Sequence, residues 1–422
     1  MQRGSQDLSD RQLDQVDAIG KLLSAPDRGS IQQGIELAVA LGDQAVFAAL
    51  LDGVAVSESS GKARPSFRRY SSLERGPRFL GPRESQTWLD LAMVHLLAGS
   101  DLPLRREVTS VALGGPTQRN VPRPELWIEG LERLESLTHL DLMLSDRDSD
   151  IDLSPLRTIP NLTHLRLRGH AVPGVLPPLE RLRELDCRQI EIDYTSAYPE
   201  LETIRGRLHI DSPISPAMAP KLRQLQIRGA IRIEGYESLG RLSCSGGAVE
   251  LPDCRRIEYL SSSVPNFDAP KLRQVGTLER FSPGIDVSQL DSLGAVRMNR
   301  TSRFSGGTFP PGTKLLDPMV QLSGRSLNDL GNLGELPGLE VLVARSVKSP
   351  VSLETLRHAT KLRVLDVGRS TGITDLSPLV GLANLEVIVV HGSGVTHVPV
   401  ELQDKVHKHW RRLAPRSAKR PS

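Results

Sequence analysis

Leu137-Thr138-His139-Leu140-Asp141-Leu142 carries a skeleton, L-x-x-L-x-L, that returns along the chain at intervals of roughly twenty residues. The same spacing of apolar residues recurs at Leu162-Leu165-Leu167, Leu182-Leu185-Cys187, Leu222-Leu225-Ile227, Leu362-Leu365-Val367 and Leu385-Ile388-Val390. A unit of this length contains one strand and the segment that leads back to the start of the next strand. It cannot bury its own apolar face, so neighbouring copies must stack. The skeleton therefore predicts a solenoid built from parallel strands.

The repeat length refines the predicted fold class, because units of about 20–29 residues on this skeleton are typical of leucine-rich repeats. The expected fold is α/β: a leucine-rich-repeat solenoid with parallel strands on its concave face, turns and short helices on its convex face, and an α-helical N-terminal cap. The predicted segments are a helical N-terminal region (1–55), an Arg/Ser/Gly-rich linker (56–83), a helix and irregular strand leading into the solenoid (84–124), the leucine-rich-repeat solenoid (125–400), and a C-terminal helix with a basic tail (401–422).

The N-terminal region contains signals for the start and end of helices. Ser30 is the expected N-cap of a second helix, since serine accepts a hydrogen bond from the first free backbone N–H groups. Gly42-Asp43 is expected to end that helix and to cap the next one. These helices would cover the apolar layer that a first repeat otherwise leaves in water.

The middle of the predicted solenoid departs from the skeleton. Leu239-Leu242-Cys244, Ile257-Leu260 and Leu272-Val275 continue it at shorter, degraded intervals. Residues 276–326 are the least regular stretch, where Gly306-Gly307 and Pro310-Pro311 are typical of a protruding loop. Whether this stretch forms repeats or a loop stays open at the level of sequence.

Two segments resemble a known type of repeat. Ile151-Asp-Leu-Ser-Pro-Leu156 is followed by Asn161-Leu162, and Ile373-Thr-Asp-Leu-Ser-Pro-Leu379 by Asn384-Leu385. These segments resemble the short bacterial leucine-rich repeats of the internalin and SDS22-like type. The resemblance implies that the motif forms the convex turn before the next strand. That family usually has Asn three positions after the last strand leucine, and looser turns are expected here because the corresponding residues are Ser145, His170, Ser370 and Ser393.

Composition limits the classes of function. The chain has 53 basic and 50 acidic residues, a net charge of +3, which argues against a globally basic nucleic-acid binder. Three cysteines, an odd number, argue against a disulfide framework, and small core residues are expected instead. The first ten residues lack the apolar core of a signal peptide and no apolar run is long enough to span a bilayer, so a cytoplasmic location is expected.

The candidate binding residues lie between the leucines, because side chains alternate across a strand and the residues flanking each buried leucine point outward. The predicted partner-binding residues are Arg166, Arg168, Asp186, Arg188, Gln226 and Arg228. Arg168, Arg188 and Arg228 are expected to form a row. Two interpretations stay open: a charged groove for an extended partner, in which arginine binds carboxylate or phosphate, or a solvated face whose charges pair across strands.

Other clusters have weaker support. His139, Asp141 and His164 would share the concave face, but their spacing is not that of a metal site, and no metal or cofactor is expected. Cys254 follows Asp253 and precedes two arginines that could lower its pKa, although a structural role is favoured. Val387 and Val389 in the last repeat are apolar and outward, so either a C-terminal covering helix or a contact patch is expected.

The sequence therefore favours a non-enzymatic protein-interaction module, or scaffold, whose partner is an unidentified protein. No P-loop, zinc-protease, C-x-x-C or nucleophile-elbow motif is present. One alternative is binding of nucleic acid or a phosphate-containing ligand through the basic linker and tail. A second is an enzyme with a dispersed site on the concave face.

Overall fold

The structure is a computed structural model of the 422-residue chain. It describes residues 8–23, 28–51, 54–56, 63–65, 94–113, 128–144, 152–169, 172–187, 190–192, 197–206, 213–264, 266–280, 285–298, 307–323 and 327–407. The chain divides into two compact units. Unit 1 comprises Met1–Asp211 with Ala217–Leu222, and unit 2 comprises Ser212–Pro216 with Arg223–Ser422.

Unit 1 begins with three helices, α1 (Asp10–Leu23), α2 (Arg28–Leu41) and α3 (Gln44–Leu50). The predicted boundary at Gly42-Asp43 is confirmed: Gly42 has a φ of +61°, and Oδ1 of Asp43 accepts from the N–H of Ala45 at 2.8 Å. The predicted N-cap at Ser30 is wrong, because α2 already begins at Arg28 and Ser30 lies inside it.

The predicted linker contains ordered backbone. Two short strands, β1 (Val54–Val56) and β2 (Ala63–Pro65), pair antiparallel where the predicted linker begins. Residues 66–83 lie outside the described part of the chain. Of the helix predicted from Glu84, residues 94–99 are described and are α-helical.

The helical region packs onto the first turn of the repeats, which confirms the N-terminal cap. A Cβ placed on Gly99 would lie 2.6 Å from Cγ2 of Val39, so the 94–99 helix and α2 are in close contact. A Cβ on Gly130 would lie 3.9 Å from Nδ1 of His95, in the turn that precedes the second strand of the sheet. Leu97 and Leu131 are completely buried on either side of this junction.

The repeats of unit 1 form a parallel sheet. Its strands are β3 (Ser110–Leu113), β4 (His139–Leu144), β5 (His164–Gly169), β7 (Glu184–Cys187) and β9 (Thr203–Gly206), in that order, while β6 (Val172–Leu176) and β8 (Ile190–Ile192) form a separate parallel pair. The apolar skeleton lies in register and is buried at Val111, Leu140, Leu165, Leu185 and Ile204. Each such side chain contributes about 1.5–3 kcal/mol to folding by leaving water.

Unit 2 contains two longer parallel sheets and one small one. The first sheet has β10 (Gln224–Arg228), β12 (Ser238–Ser245), β14 (Arg256–Ser262), β16 (Gln274–Arg280), β17 (Ser292–Val296) and β18 (Lys314–Leu315), in that order. The second has β19 (Met319–Ser323), β20 (Val341–Arg345), β21 (Val364–Asp366), β22 (Val387–Val389) and β23 (Val406–His407). The small sheet has β11 (Ile231–Arg232), β13 (Ala248–Glu250) and β15 (Asn266–Asp268).

The middle repeats are shorter than the others but regular. Leu239, Ile257, Val275 and Leu293 share one register position, each 18 residues after the one before. The predicted unit Leu272-Val275 is therefore wrong by three positions: Leu272 is buried in the turn, and Val275 starts the unit. The short period brings successive backbones together, since a Cβ on Gly276 would lie 2.5 Å from the carbonyl oxygen of Glu258.

Residues 276–326 contain repeats. The strands β16, β17 and β18 pair in parallel through this stretch, and β19 begins the next sheet. Of the two alternatives left open by the sequence, a protruding loop does not fit the described residues 307–313, because Phe309 is buried and both of its backbone groups bond the side chain of Asn332, at 2.7 and 3.1 Å. Burial of this aromatic ring holds the segment on the core.

The turns between strands are built from 3-10 helices and from side chains that bond the backbone. These helices span Pro103–Glu107, Leu131–Arg133, Ser154–Thr158, Val287–Gln289, Leu333–Glu335, Glu354–His358, Ser377–Leu379 and Val400–Lys405. In the two family-like segments, Asp152 accepts from the N–H of Ser154 and Asp375 from that of Ser377, both at 2.8 Å. The motif therefore forms a turn before the next strand, as the resemblance implies.

Ser370 replaces the asparagine of the family without loosening its turn. Its side chain is buried, and its hydroxyl donates to the carbonyl of Ala344 at 2.6 Å and accepts from the N–H of Val347 at 3.2 Å. The expectation of looser turns is wrong at this position, since both inter-repeat bonds are made. Ser145 and His170 lie outside the described residues.

The C-terminal helix predicted from residue 401 is wrong for the described residues. Val400–Lys405 is a 3-10 helix, and Val406–His407 continues the sheet as β23 by pairing in parallel with Ile388 and Val389 of β22. Residues 408–422, with the basic tail, lie outside the described part of the chain. None of the described helices is long and apolar enough to cross a lipid bilayer.

Candidate functional site

The outward face of the unit 1 sheet carries charged residues in a single register row. Asp141, Arg166, Asp186 and Arg205 occupy equivalent positions on four successive strands. Adjacent parallel strands lie about 4.8 Å apart, so each charge has an opposite charge as its nearest neighbour in the row. The apolar residues that precede them along each strand are all buried, namely Leu140, Leu165, Leu185 and Ile204, which fixes the charged side chains on the other face.

The arginines of this face are bound by carboxylates. Arg166 donates from Nε to Oδ2 of Asp186 at 2.8 Å, and Arg205 donates from Nη1 to Oε1 of Glu184 at 2.9 Å. Arg168 donates from Nε to Oδ1 of Asp141 at 3.1 Å, and its Nη2 bonds the other oxygen. The hydrogen bonds with Asp141 raise the pKa of Arg168. These three arginines and three carboxylates balance in charge.

Two histidines stack at one edge of this face. The rings of His139 and His164 lie 4.0 Å apart between centroids, at 10° to each other. Nδ1 of His164 lies 2.8 Å from Oγ1 of Thr163, and that hydroxyl donates its proton to the carbonyl of Thr138.

The histidines border a small hollow of about 220 Å³, lined by Ser110, His139, Leu140, Asp141, His164, Leu165, Arg166, Glu184 and Asp186. Among the residues that the structure describes, no group of three or more His, Cys, Asp or Glu side chains could hold a metal ion. The side chains that line the hollow can accept and donate hydrogen bonds.

The outward face of the first sheet of unit 2 differs in its chemistry. Gln226 and Arg228 are exposed on β10, as predicted. Gln224, Arg241 and Tyr259 share a register row on β10, β12 and β14. The guanidinium of Arg241 lies over the ring of Tyr259, 4.1 Å from its centroid, which is a cation–π contact.

A hydrogen-bonded chain continues from Tyr259 along this face. The Tyr259 hydroxyl donates to Oε2 of Glu279, whose other oxygen accepts from Nη1 of Arg297 at 2.6 Å. Nε of Arg297 lies 2.9 Å from Oδ2 of Asp317, an ionic contact whose angle does not form a hydrogen bond. The network orders side chains from four successive repeats.

Sequence reasoning missed Arg241 and Tyr259, although a signal for both exists. Each immediately precedes the second apolar residue of its skeleton, Leu242 and Leu260, as Gln224 precedes Leu225. The degraded skeleton of the middle repeats hides this alignment, because Ser262 stands where the third apolar residue of Ile257-Leu260 is expected. The 18-residue period places them in one row with the recognised repeats of unit 2.

The predicted site residues separate into two groups. The structure brings Arg166 together with Asp186, in unit 1. Gln226 and Arg228 belong to unit 2, and Arg188 lies outside the described residues. The row of Arg168, Arg188 and Arg228 stays a prediction.

The second sheet of unit 2 presents an apolar row on its outward side. Met319, Val341, Val364 and Val387 share a register position, and Met319 is the most exposed of them at 43%. Val389 is buried and is paired with His407 of β23. The C-terminal segment thus lies beside Val389 as a strand.

The three cysteines are core residues, as expected. Cys187, Cys244 and Cys254 are all buried. Burial raises the pKa of Cys187 to about 12 and the pKa values of Cys244 and Cys254 to about 11. A lowered pKa for Cys254 is therefore wrong, because loss of water around the thiol outweighs the neighbouring arginines.

Stacked parallel strands, buried skeleton positions and 3-10 turns define the chain as a leucine-rich-repeat solenoid with a helical N-terminal cap. No family model and no curated protein matches the sequence. One similar solved structure is the TLR13–ssRNA13 complex, with 16% identity over 69% of this chain and a TM-score of 0.32. This chain spans 43% of that one. Another is an internalin (inlF) from Listeria monocytogenes, with 18% identity over 75% of this chain and 70% of that one, and a TM-score of 0.22.

Proposed function

We propose that this protein is a non-enzymatic protein-interaction module that binds a protein partner on the outward face of its parallel sheets. The partner-binding residues are those predicted from the sequence: Arg166, Arg168, Asp186, Arg188, Gln226 and Arg228. The observation that supports this proposal is that charges pair across the strands of unit 1 and so hold Arg166, Arg168 and Asp186 in fixed positions on the outward face, which makes the two interpretations given above compatible.

Ordered ion pairs suit a binding surface for physical reasons. Each pair holds a long arginine side chain in one geometry, which lowers the conformational entropy lost when a partner binds. A guanidinium has five N–H donors, and the bonds of Arg166 and Arg168 named above use one or two of them. The remaining donors can bond carbonyl or carboxylate oxygens of a partner.

Charge balance favours a protein partner over a polyanion on this face. Nucleic-acid binding requires an excess of Lys and Arg that neutralises phosphates. On the unit 1 face, Arg166, Arg168 and Arg205 are each already in contact with a carboxylate. A protein surface carrying both signs of charge can exchange contacts with such a face without leaving one sign unpaired.

Affinity capture from the native cell tests the proposal. The double variant Arg166→Glu/Arg168→Glu should lose the partner recovered by the unaltered chain, because the face becomes acidic. The exchange variant Arg166→Asp/Asp186→Arg keeps an ion pair and should melt like the unaltered chain, yet it should also lose the partner. Lys221→Glu, which alters the turn ion pair with Glu200, is the matched control and should keep it.

Full recovery of the partner by the exchange variant would contradict the proposal. A separate measurement addresses the nucleic-acid alternative: retention on heparin that falls steeply with salt would favour it. We expect elution at low salt, with no copurifying nucleic acid.

A further inference from the structure

Arg228 and Arg241 differ from the arginines of the unit 1 face. Both are exposed, and within the described part of the chain no carboxylate forms an ion pair with either. Glu258, on the strand next to Arg241, pairs with Arg256 at 3.8 Å instead. The outward face of unit 2 therefore has two guanidinium groups whose charge is not balanced by a described neighbour.

The register of β10 and β12 fixes the spacing of these two cations. Arg241 is level with Gln224, and Arg228 lies four residues further along β10. A strand advances about 3.3 Å per residue and neighbouring strands lie about 4.8 Å apart, so the two arginine backbones are roughly 14 Å from each other. Between them lie Gln226 and Ser243, which are also level with each other and point outward.

Arg241 is held by an aromatic ring. Its guanidinium lies 4.1 Å from the centroid of Tyr259, and the Tyr259 hydroxyl is bonded to Glu279, which Arg297 fixes in turn. A cation–π contact orders the side chain without occupying its N–H donors by a carboxylate. The donors of Arg241 are therefore positioned for an anionic group of a ligand.

We infer that this patch, formed by Arg228, Arg241, Gln226 and Ser243, binds an extended acidic segment of the protein partner, with two carboxylates four residues apart. In an extended segment, residues i and i+4 point to the same side and lie about 13 Å apart, which matches the separation of the arginines along the strand. The Gln226 amide and the Ser243 hydroxyl, which lie between the two arginines, can form hydrogen bonds with the backbone of the segment. This inference rests on the proposed function and names the kind of partner.

Peptide binding to the full chain tests the inference. The probes are fluorescein-labelled peptides of serine, threonine and glycine with two glutamates at i and i+4, or at i and i+1, followed by fluorescence anisotropy. The i, i+4 peptide should bind more tightly, because the i+1 glutamate points away from the sheet. Arg228→Gln and Arg241→Gln should each weaken it about tenfold, the effect of losing one charge-assisted contact.

Matched variants separate the contact from a folding effect. Arg363→Gln removes another exposed arginine of unit 2, one that is paired with Glu386, and it should leave peptide affinity unchanged. Tyr259→Phe keeps the ring under Arg241, whereas Tyr259→Leu removes it. We expect the leucine variant to bind the peptide more weakly than the phenylalanine variant. Thermal melts are recorded for each variant, and peptide affinities are compared only among variants that melt like the unaltered chain.

The inference is overturned if the i, i+4 peptide does not bind the unaltered chain, if both spacings bind with equal affinity, or if the variant that carries both Arg228→Gln and Arg241→Gln keeps the affinity of the unaltered chain. Equal, arginine-dependent binding of an oligothymidine would also overturn it, by making the patch a general polyanion site. If the peptides fail while native capture still depends on Arg166 and Arg168, the inference fails alone. If partner capture does not depend on Arg166 and Arg168 while the peptide still binds, the proposed function of the unit 1 face fails.

Discussion

At the scale of single residues, Ser370 shows how one side chain joins successive repeats. Its buried hydroxyl satisfies the carbonyl of Ala344 and the N–H of Val347, two backbone groups of the preceding repeat. The sequence showed that serine stands where asparagine is usual, but not whether the hydroxyl reaches both groups. That depends on backbone positions that only the stacked repeats define.

Ser370→Ala should destabilise the protein by about 2 kcal/mol, since it leaves two buried backbone groups without partners. Urea unfolding measures the change. Ser393→Ala is the control: its hydroxyl is half-buried and accepts one long bond, from Val395 at 3.4 Å, so its cost should be below about 0.5 kcal/mol. Equal losses in the two variants would refute the role given to Ser370.

The cysteines give a chemical test of burial. With pKa values of about 11 to 12, the three thiols carry almost no thiolate near pH 8 and are shielded from solvent. The native chain should not react with Ellman's reagent at that pH, and the chain unfolded in guanidinium chloride should react at all three. Rapid labelling of native Cys254 would show that its turn is open.

At the scale of elements, three turns share a D-x-S sequence that the family resemblance identified at only two of them. Asp286 bonds the N–H of Ser288 at 2.9 Å, as Asp152 and Asp375 bond their serines. The third copy lies in the irregular stretch 276–326, and Asp286-Val-Ser-Gln-Leu290 lacks the second-position Leu and the Pro of the family motif. All three sit at a 3-10 helix that leads back to the sheet.

These turns predict a dependence of stability on acid. Hydrogen bonds from the serines lower the pKa values of Asp152, Asp286 and Asp375. A carboxyl whose pKa is lower in the folded state stabilises that state above its unfolded pKa, near 3.9, and loses this effect as pH falls through the folded value. The triple Asp→Asn variant should therefore lose less stability than the unaltered chain between about pH 5 and pH 3.

The control for the acid prediction is Asp291→Asn, an exposed aspartate whose carboxylate makes no described hydrogen bond. Thermal melts at several pH values measure both variants. If the triple variant loses as much stability in acid as the unaltered chain, these three aspartates do not cause the acid dependence.

The strands show what a leucine skeleton can and cannot predict. It predicted the register of Leu140, Leu165 and Leu185 correctly, because burial forces these side chains to one face. It failed at Val275, since buried turn residues such as Leu272 are equally apolar and mimic the first position of a unit. Apolarity alone does not distinguish a strand leucine from a turn leucine.

At the scale of the whole molecule, the proposed function lies in residues between the leucines. The unit 1 face has paired charges and the first sheet of unit 2 has arginines without a described carboxylate, although both sheets have the same architecture. Sequence alternation predicted that Arg166 and Arg228 face outward. It left open whether the charges pair across strands, because pairing depends on register between repeats of unequal length, such as 25 residues from Leu137 to Leu162 and 20 from Leu162 to Leu182.

The most direct test of the central claim is site-specific photo-crosslinking in the native cell. A benzophenone side chain is placed at Gln226 or Thr277 on outward strand positions, and at Lys361 or Glu180 on exposed turns. If a protein partner binds the sheet face, the two strand positions should yield a covalent adduct of one defined mass and the turn positions should not. Adducts from the turn positions, with none from the strands, would contradict the account.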